Sequence, residues 1–135
     1  MSLSDYLESK ILQMVFHRVD YTPPSSYWLS LSTKNIGDDA IDNREPDGKN
    51  YSRIEIANEI SETGFIQIGD YFYNSGQMDF PEVTGASWGL IKCFGLWDGQ
   101  TNGNLIAYGS LQNNKTAEVG DICRIYQTGI KIGID

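Results

Sequence analysis

Basic residues are scarce in this 135-residue chain, with 10 Lys and Arg against 18 Asp and Glu, a formal net charge of −8. A nucleic-acid binder needs a cationic face for phosphates, so that class is excluded. An anionic membrane surface would repel the chain for the same reason. No apolar run approaches the ~20 residues of a spanning helix. The opening MSLSDYLESK lacks a basic stretch followed by an apolar one, so no signal peptide is expected. Histidine occurs once, at His17, and cysteine twice, at Cys93 and Cys123 without CxxC spacing. That supply cannot assemble a zinc cluster, and two buried free thiols are expected. Neither phosphate-cradling glycine pattern is present, so no nucleotide loop is expected and no cofactor or metal is assigned.

What is present is apolar periodicity of two kinds. Leu3, Leu7, Ile11, Met14 and Val15 recur at spacings of three and four, which predicts an amphipathic helix over residues 1–20. Ser2 with Asp5 is the expected cap, and Pro23 and Pro24 set the limit of the helix. The pattern then changes to period two. Strands are expected at 27–33, 51–57, 65–68, 71–73, 87–97, 105–111, 122–126 and 130–134, with turn chemistry at DGQTNGN between residues 98 and 104. Residues 34–50 read as a long acidic surface loop, and 113–120 as a polar connection. Such spacing after one helix predicts a mainly β fold. The chain reads as one domain, an antiparallel sandwich or barrel-like body over 27–134 behind an N-terminal amphipathic helix.

Candidate chemistry is thin. Gly85-Ala86-Ser87-Trp88-Gly89 matches G-x-S-x-G, but a nucleophile elbow needs a helix after the serine and a histidine downstream. Here a strand pattern follows and His17 lies upstream, so no catalytic residue is assigned. The stretch Asp38 to Asp47 offers five carboxylates, yet its order fits no calcium loop and Arg44 interrupts it. It is read as a solvated loop or a contact for a basic surface. Trp28, Trp88 and Trp97 fall in strand patterns and are expected in the core. Tyr71-Phe72-Tyr73 must place a ring on each face of its strand, so the outward ring covers an edge or anchors an interface.

The run Ala86 to Leu111 resembles a family of small tailed-phage virion proteins commonly labelled tail-fibre proteins. The shared features are Trp88-Gly89, the apolar segment to Asp98, Gly103 to Leu105, and Tyr108 to Leu111. Lys115-Thr116, Val119-Gly120-Asp121 and Ile125 continue the likeness, with Ala117 as a departure. Phe80-Pro81, the N-terminal helix, the Pro23-Pro24 pair and the strand from Tyr27 to Thr33 also agree. The resemblance implies a non-enzymatic structural protein of the virion, made in the host bacterial cytoplasm. Compact size without repeats or heptads favours a capsid decoration or cement protein, gripping the major capsid protein lattice as a homo-oligomer such as a trimer. A tail-fibre or tail-tip component, bound to tail proteins, is the alternative, and a glycan-binding receptor module the third reading. The expected assembly interface comprises Leu3, Tyr6, Leu12 and Phe16 of the N-terminal segment with Tyr71, Phe72 and Tyr73.

Overall fold

The computed structural model describes residues 1–134. The fold is mainly β, with antiparallel sheets and one N-terminal helix. Strands β1 (Ser2–Leu3), β2 (Ser26–Ser32), β3 (Ile54–Ala57), β7 (Gly89–Trp97) and β8 (Leu105–Ala117) form the large sheet, in the order β1-β8-β7-β2-β3. Strands β4 (Phe65–Ile68), β5 (Tyr71–Asn74) and β10 (Lys131–Ile132) make a second sheet, ordered β10-β5-β4. A two-stranded ribbon pairs β6 (Met78–Asp79) with β9 (Arg124–Ile125).

One face of the large sheet packs against the smaller sheets in a sandwich-like arrangement. Leu29, Leu31, Ile56, Leu96 and Ile106 meet Phe65, Phe80, Val83 and Ile130 there. The opposite face is covered by the loop before β3, where Ile36 is fully buried against Cys93, Trp97 and Leu105. Burial on both faces explains why Leu29 to Ser32 are all buried although their side chains alternate. A register shift between Ile91 and Cys93 moves Ile91 to one core face and Cys93 to the other. Gly95 sits where the sheet meets that loop. A Cβ there would lie 2.9 Å from both Ile36 Cδ1 and Trp97 Nε1, so no larger residue fits without movement.

The helix differs from expectation at both ends. Helix α1 runs over Asp5–Phe16, capped by Ser4, whose Oγ accepts from Leu7 N–H at 3.2 Å. Ser2 is not the cap, because the edge of β8 captures it: Ser2 pairs with Tyr108 and Leu3 with Ala107. The N–H groups that the helix start leaves open find other partners: Ser4 donates to Ile106 C=O at 2.9 Å and Asp5 to Asp38 C=O at 3.1 Å. The far end stops before Asp20, with Arg18 in the left-handed region and Val19 N–H donating to Gln13 C=O at 3.2 Å.

The bounds of four strands also shift. β8 continues through Asn113–Ala117, expected as a connection, because Gly89 to Ile91 supply the ladder partners. Its side chains from Gln112 to Thr116 face solvent and carry no apolar pattern. In the 122–126 and 130–134 segments only two residues each enter a ladder, and Ile122 and Ile134 are exposed. Strand β3 begins at Ile54 instead of Tyr51, whose side chain is spent on a loop contact described below.

Candidate assembly surfaces

The sequence-level candidates for chemistry have structural occupations. Ser87 Oγ donates to Ala117 C=O at 2.9 Å and accepts from Gly89 N–H at 3.0 Å, at the entry to β7. His17 is the exposed C-cap of α1, its backbone N–H bound to Gln13 C=O at 3.0 Å. Both cysteines are free: Cys93 is buried and donates to Gly109 C=O, whereas Cys123 is half-buried. Burial, reinforced by Asp121, pushes the Cys123 thiol up and away from its reactive thiolate form. Among the described residues, no three His, Cys, Asp or Glu side chains are gathered to hold a metal ion.

The acidic loop is tied into the fold instead of standing free. Glu45 forms a two-oxygen ion pair with Arg53, at 2.9 Å from Nε and 2.7 Å from Nη2. Arg53 Nη1 donates to Gly99 and Asn102 carbonyls at 2.8 Å each, and its guanidinium lies 4.3 Å above the Trp97 ring. This accounts for an arginine only 8% exposed at the entry to β3. Tyr51 Oη donates to Glu45 at 2.6 Å and accepts from Leu31 N–H at 3.1 Å. Burial alone would raise the Glu45 carboxyl, but hydrogen bonds from Arg53, Tyr51 and Asn43 hold it below its ordinary value. The same burial, together with the Glu45 charge, pushes the Tyr51 phenol up. Asp38 accepts from Tyr108 Oη, which pushes that phenol up to about 12. Asp39 accepts from Ile41 N–H at 3.0 Å.

The expected interface residues divide into two places. In the N-terminal segment, Leu3 and Tyr6 are half-buried against the core, so α1 is moored at its beginning. Its other half is not. No residue of α1 is fully buried, and Leu12, Val15 and Phe16 are 58%, 59% and 81% exposed. Spacings of three and four put them on one side of the helix, and Val19 extends the exposed apolar end. Burying one phenylalanine side chain stabilises by about 1.5–3 kcal/mol, which this chain by itself forgoes at Phe16.

The three aromatics of β5 separate by face. Tyr71 lies beneath the Lys131 ammonium, 3.9 Å from its ring centroid, and so covers the β10 edge. Tyr73 is half-buried opposite Ile66 and Lys131. Phe72 points the other way, into an apolar groove of about 240 Å³ between the large sheet and the β10-β5-β4 sheet. Leu3, Leu7, Phe65, Ile106 and Ile132 line this groove with it. Leu3 and Phe72 were both legible as interface candidates, but nothing in their spacing showed that they share one groove.

A β body that carries an exposed apolar helix end and an open apolar groove presents the kind of surface that marks interaction sites in general. The comparison with known families gives that surface a particular setting. Residues 2–133 match the model of the family described as Podophage GP4 fiber I protein gp80, and the chain belongs to that family. It is a phage structural protein of the fibre type, as the Trp88 to Leu111 pattern implied. No curated protein matches it.

Proposed function

We propose that this chain is a non-enzymatic subunit of the tail-fibre apparatus of a podophage particle. The observation that carries the reading is the match over residues 2–133 to a family described as a fibre protein. It supports the fibre role over capsid decoration, for which compact size was the main argument. A short chain suits a fibre when the fibre's length comes from several subunits and each contributes one body and its contacts. The exposed end of α1 and the Phe72 groove are the surfaces available for such contacts.

Quantitative mass spectrometry on virions separated into heads and tails tests this. The chain is expected in the tail fraction at low copy number, and antibodies against it should label the tail in electron micrographs. Hundreds of copies travelling with heads would restore the decoration reading in its place. Absence from both fractions would overturn the virion role itself.

A further inference from the structure

The β7–β8 turn carries the chain's one Asn-Gly pair, Asn102-Gly103. A glycine after an asparagine leaves its backbone nitrogen unshielded by a Cβ, so that nitrogen can attack the preceding side-chain amide. The fold itself demands the glycine here. Its φ is +78°, and a Cβ at this position would lie 2.6 Å from Asp98 Oδ1. The turn also leaves the reacting groups open. Asn102 and Gly103 are exposed, and among the described residues neither the Gly103 N–H nor the Asn102 side-chain amide has a hydrogen-bond partner.

The carbonyl between them is held. Arg53 Nη1 donates to Asn102 C=O at 2.8 Å, from a guanidinium fixed by Glu45 and by the Trp97 ring. That oxygen and the Gly103 nitrogen belong to one peptide group and share its electrons. When the nitrogen loses its proton, negative charge spreads onto the oxygen, where the cation already stands. A preorganised donor on an oxygen that gains charge in the transition state lowers the barrier, as an oxyanion hole does.

We propose that Asn102-Gly103 is a self-modifying site, at which the Arg53 clamp promotes conversion of Asn102 to isoaspartate. Hydroxide removes the Gly103 N–H proton, the nitrogen's electron pair bonds to Asn102 Cγ, and the Cγ–Nδ2 bond breaks. The leaving nitrogen takes a proton from water and departs as ammonia, leaving a five-membered imide. Water then adds to the imide carbonyl that Arg53 holds. The bond from that carbon to the Gly103 nitrogen breaks, and the nitrogen recovers a proton. The net change is water in and ammonia out. The backbone now runs through Cγ, and the carbonyl that Arg53 gripped has become a carboxylate. Its charge-assisted bond to the guanidinium favours isoaspartate over aspartate. The clamp then holds two carboxylates where it held one. The inference does not rest on the fibre reading.

The test is to incubate the purified full chain at mildly alkaline pH and follow ammonia release, isoelectric focusing and peptide mapping by mass spectrometry. Asn102 is expected to convert first, chiefly to isoaspartate, ahead of the exposed Asn50, Asn113 and Asn114. Conversion at any of these three before Asn102 overturns the proposal, as does a chain that stays intact. Arg53→Met separates activation from mere anchoring. Loss of the guanidinium is expected to slow conversion at Asn102 about tenfold, the scale of one hydrogen bond to a charged group. A loosened turn alone would leave the rate unchanged or raise it, and either result refutes the role of Arg53. If Arg53→Met does not fold, wild type unfolded in urea replaces it, since unfolding also parts the guanidinium from the peptide. Conversion at Asn102 is then expected to be slower than in the folded chain, and an equal or faster rate refutes the proposal.

Discussion

Around Arg53, four hydrogen bonds and a ring contact converge on one side chain, whereas from Leu12 to Val19 large apolar side chains stand in solvent. The first region joins three separate stretches of the chain, namely the acidic loop, β3 and the β7–β8 turn. Every charged atom that it buries has a partner within the molecule. The second region is joined to the body at the start of its helix, through Ser4, Asp5, Tyr6 and Leu7. The contrast separates two uses of side chains in a small structural protein. One set holds the body together, and the other is left unsatisfied by the body. Substitutions in the first should therefore register in stability, and substitutions in the second should register in assembly.

The largest effect is expected at the clamp itself. Arg53→Met leaves Glu45 half-buried without its cation and two carbonyls without donors, which costs about 3–5 kcal/mol. Urea unfolding should show the midpoint drop, and a loss below about 1 kcal/mol would mean that the loop holds without the ion pair.

A second pinned site should behave similarly, with a smaller loss. Asn74 is fully buried: its amide donates to the Gly76 and Tyr126 carbonyls at 2.8 Å, and its Oδ1 accepts from Ile130 N–H at 2.8 Å. Asn74→Ala orphans these groups and should cost about 2–3 kcal/mol, read by the same unfolding curve. The loss should appear also as faster amide exchange at Ile130.

Acid should loosen the clamp. The folded Glu45 pKa lies below its unfolded value near 4.5. Its contribution is thus fully present above that pH and is lost as pH falls through the lower, folded value. Stability measured from pH 7 downward should decline in this acid range. Glu45→Gln should be less stable at neutral pH and flatter in acid, and an unchanged slope would remove Glu45 from the account.

The smallest effect on stability belongs to the helix end. Leu12→Ser and Phe16→Ser should each change the unfolding free energy by less than about 0.5 kcal/mol, because neither side chain is buried in the chain. A larger loss in the monomer would show that α1 relies on these residues internally and would collapse the contrast.

Much of the fold was legible where local chemistry and tertiary demand agree. The β4–β5 hairpin follows from two short strand-like runs, Phe65 to Ile68 and Tyr71 to Tyr73, around the Gly69-Asp70 turn signal. The 98–104 turn follows from DGQTNGN, where Asn102 and Gly103 take positive φ and Asp98 Oδ1 accepts from Asn104 N–H at 2.6 Å. The apolar run before it becomes a central strand because both faces are covered. Strands β1 and β6 were illegible, since two residues carry no period. The polar end of β8 was illegible too, since its side chains face water and only its backbone is engaged. Of the interface candidates, Leu12 and Phe16 lie outside the narrowest face of the Leu3-Leu7-Ile11-Met14-Val15 stripe, but spacing does not tell a buried stripe from an exposed one.

The sequence by itself determined the strand-and-turn alternation, the acidic balance, the helix near the start and the family pattern from Trp88 to Leu111, because each rests on residues close together in the chain. The tertiary structure alone decided that Ser2–Leu3 would join β8, that Arg53 would be buried on Glu45 and Trp97, and that Leu3, Phe72 and Ile132 would wall one groove. Those outcomes depend on sheet edges and on partners tens of residues apart, whose meeting is set by how the sheets pack and not by any local preference.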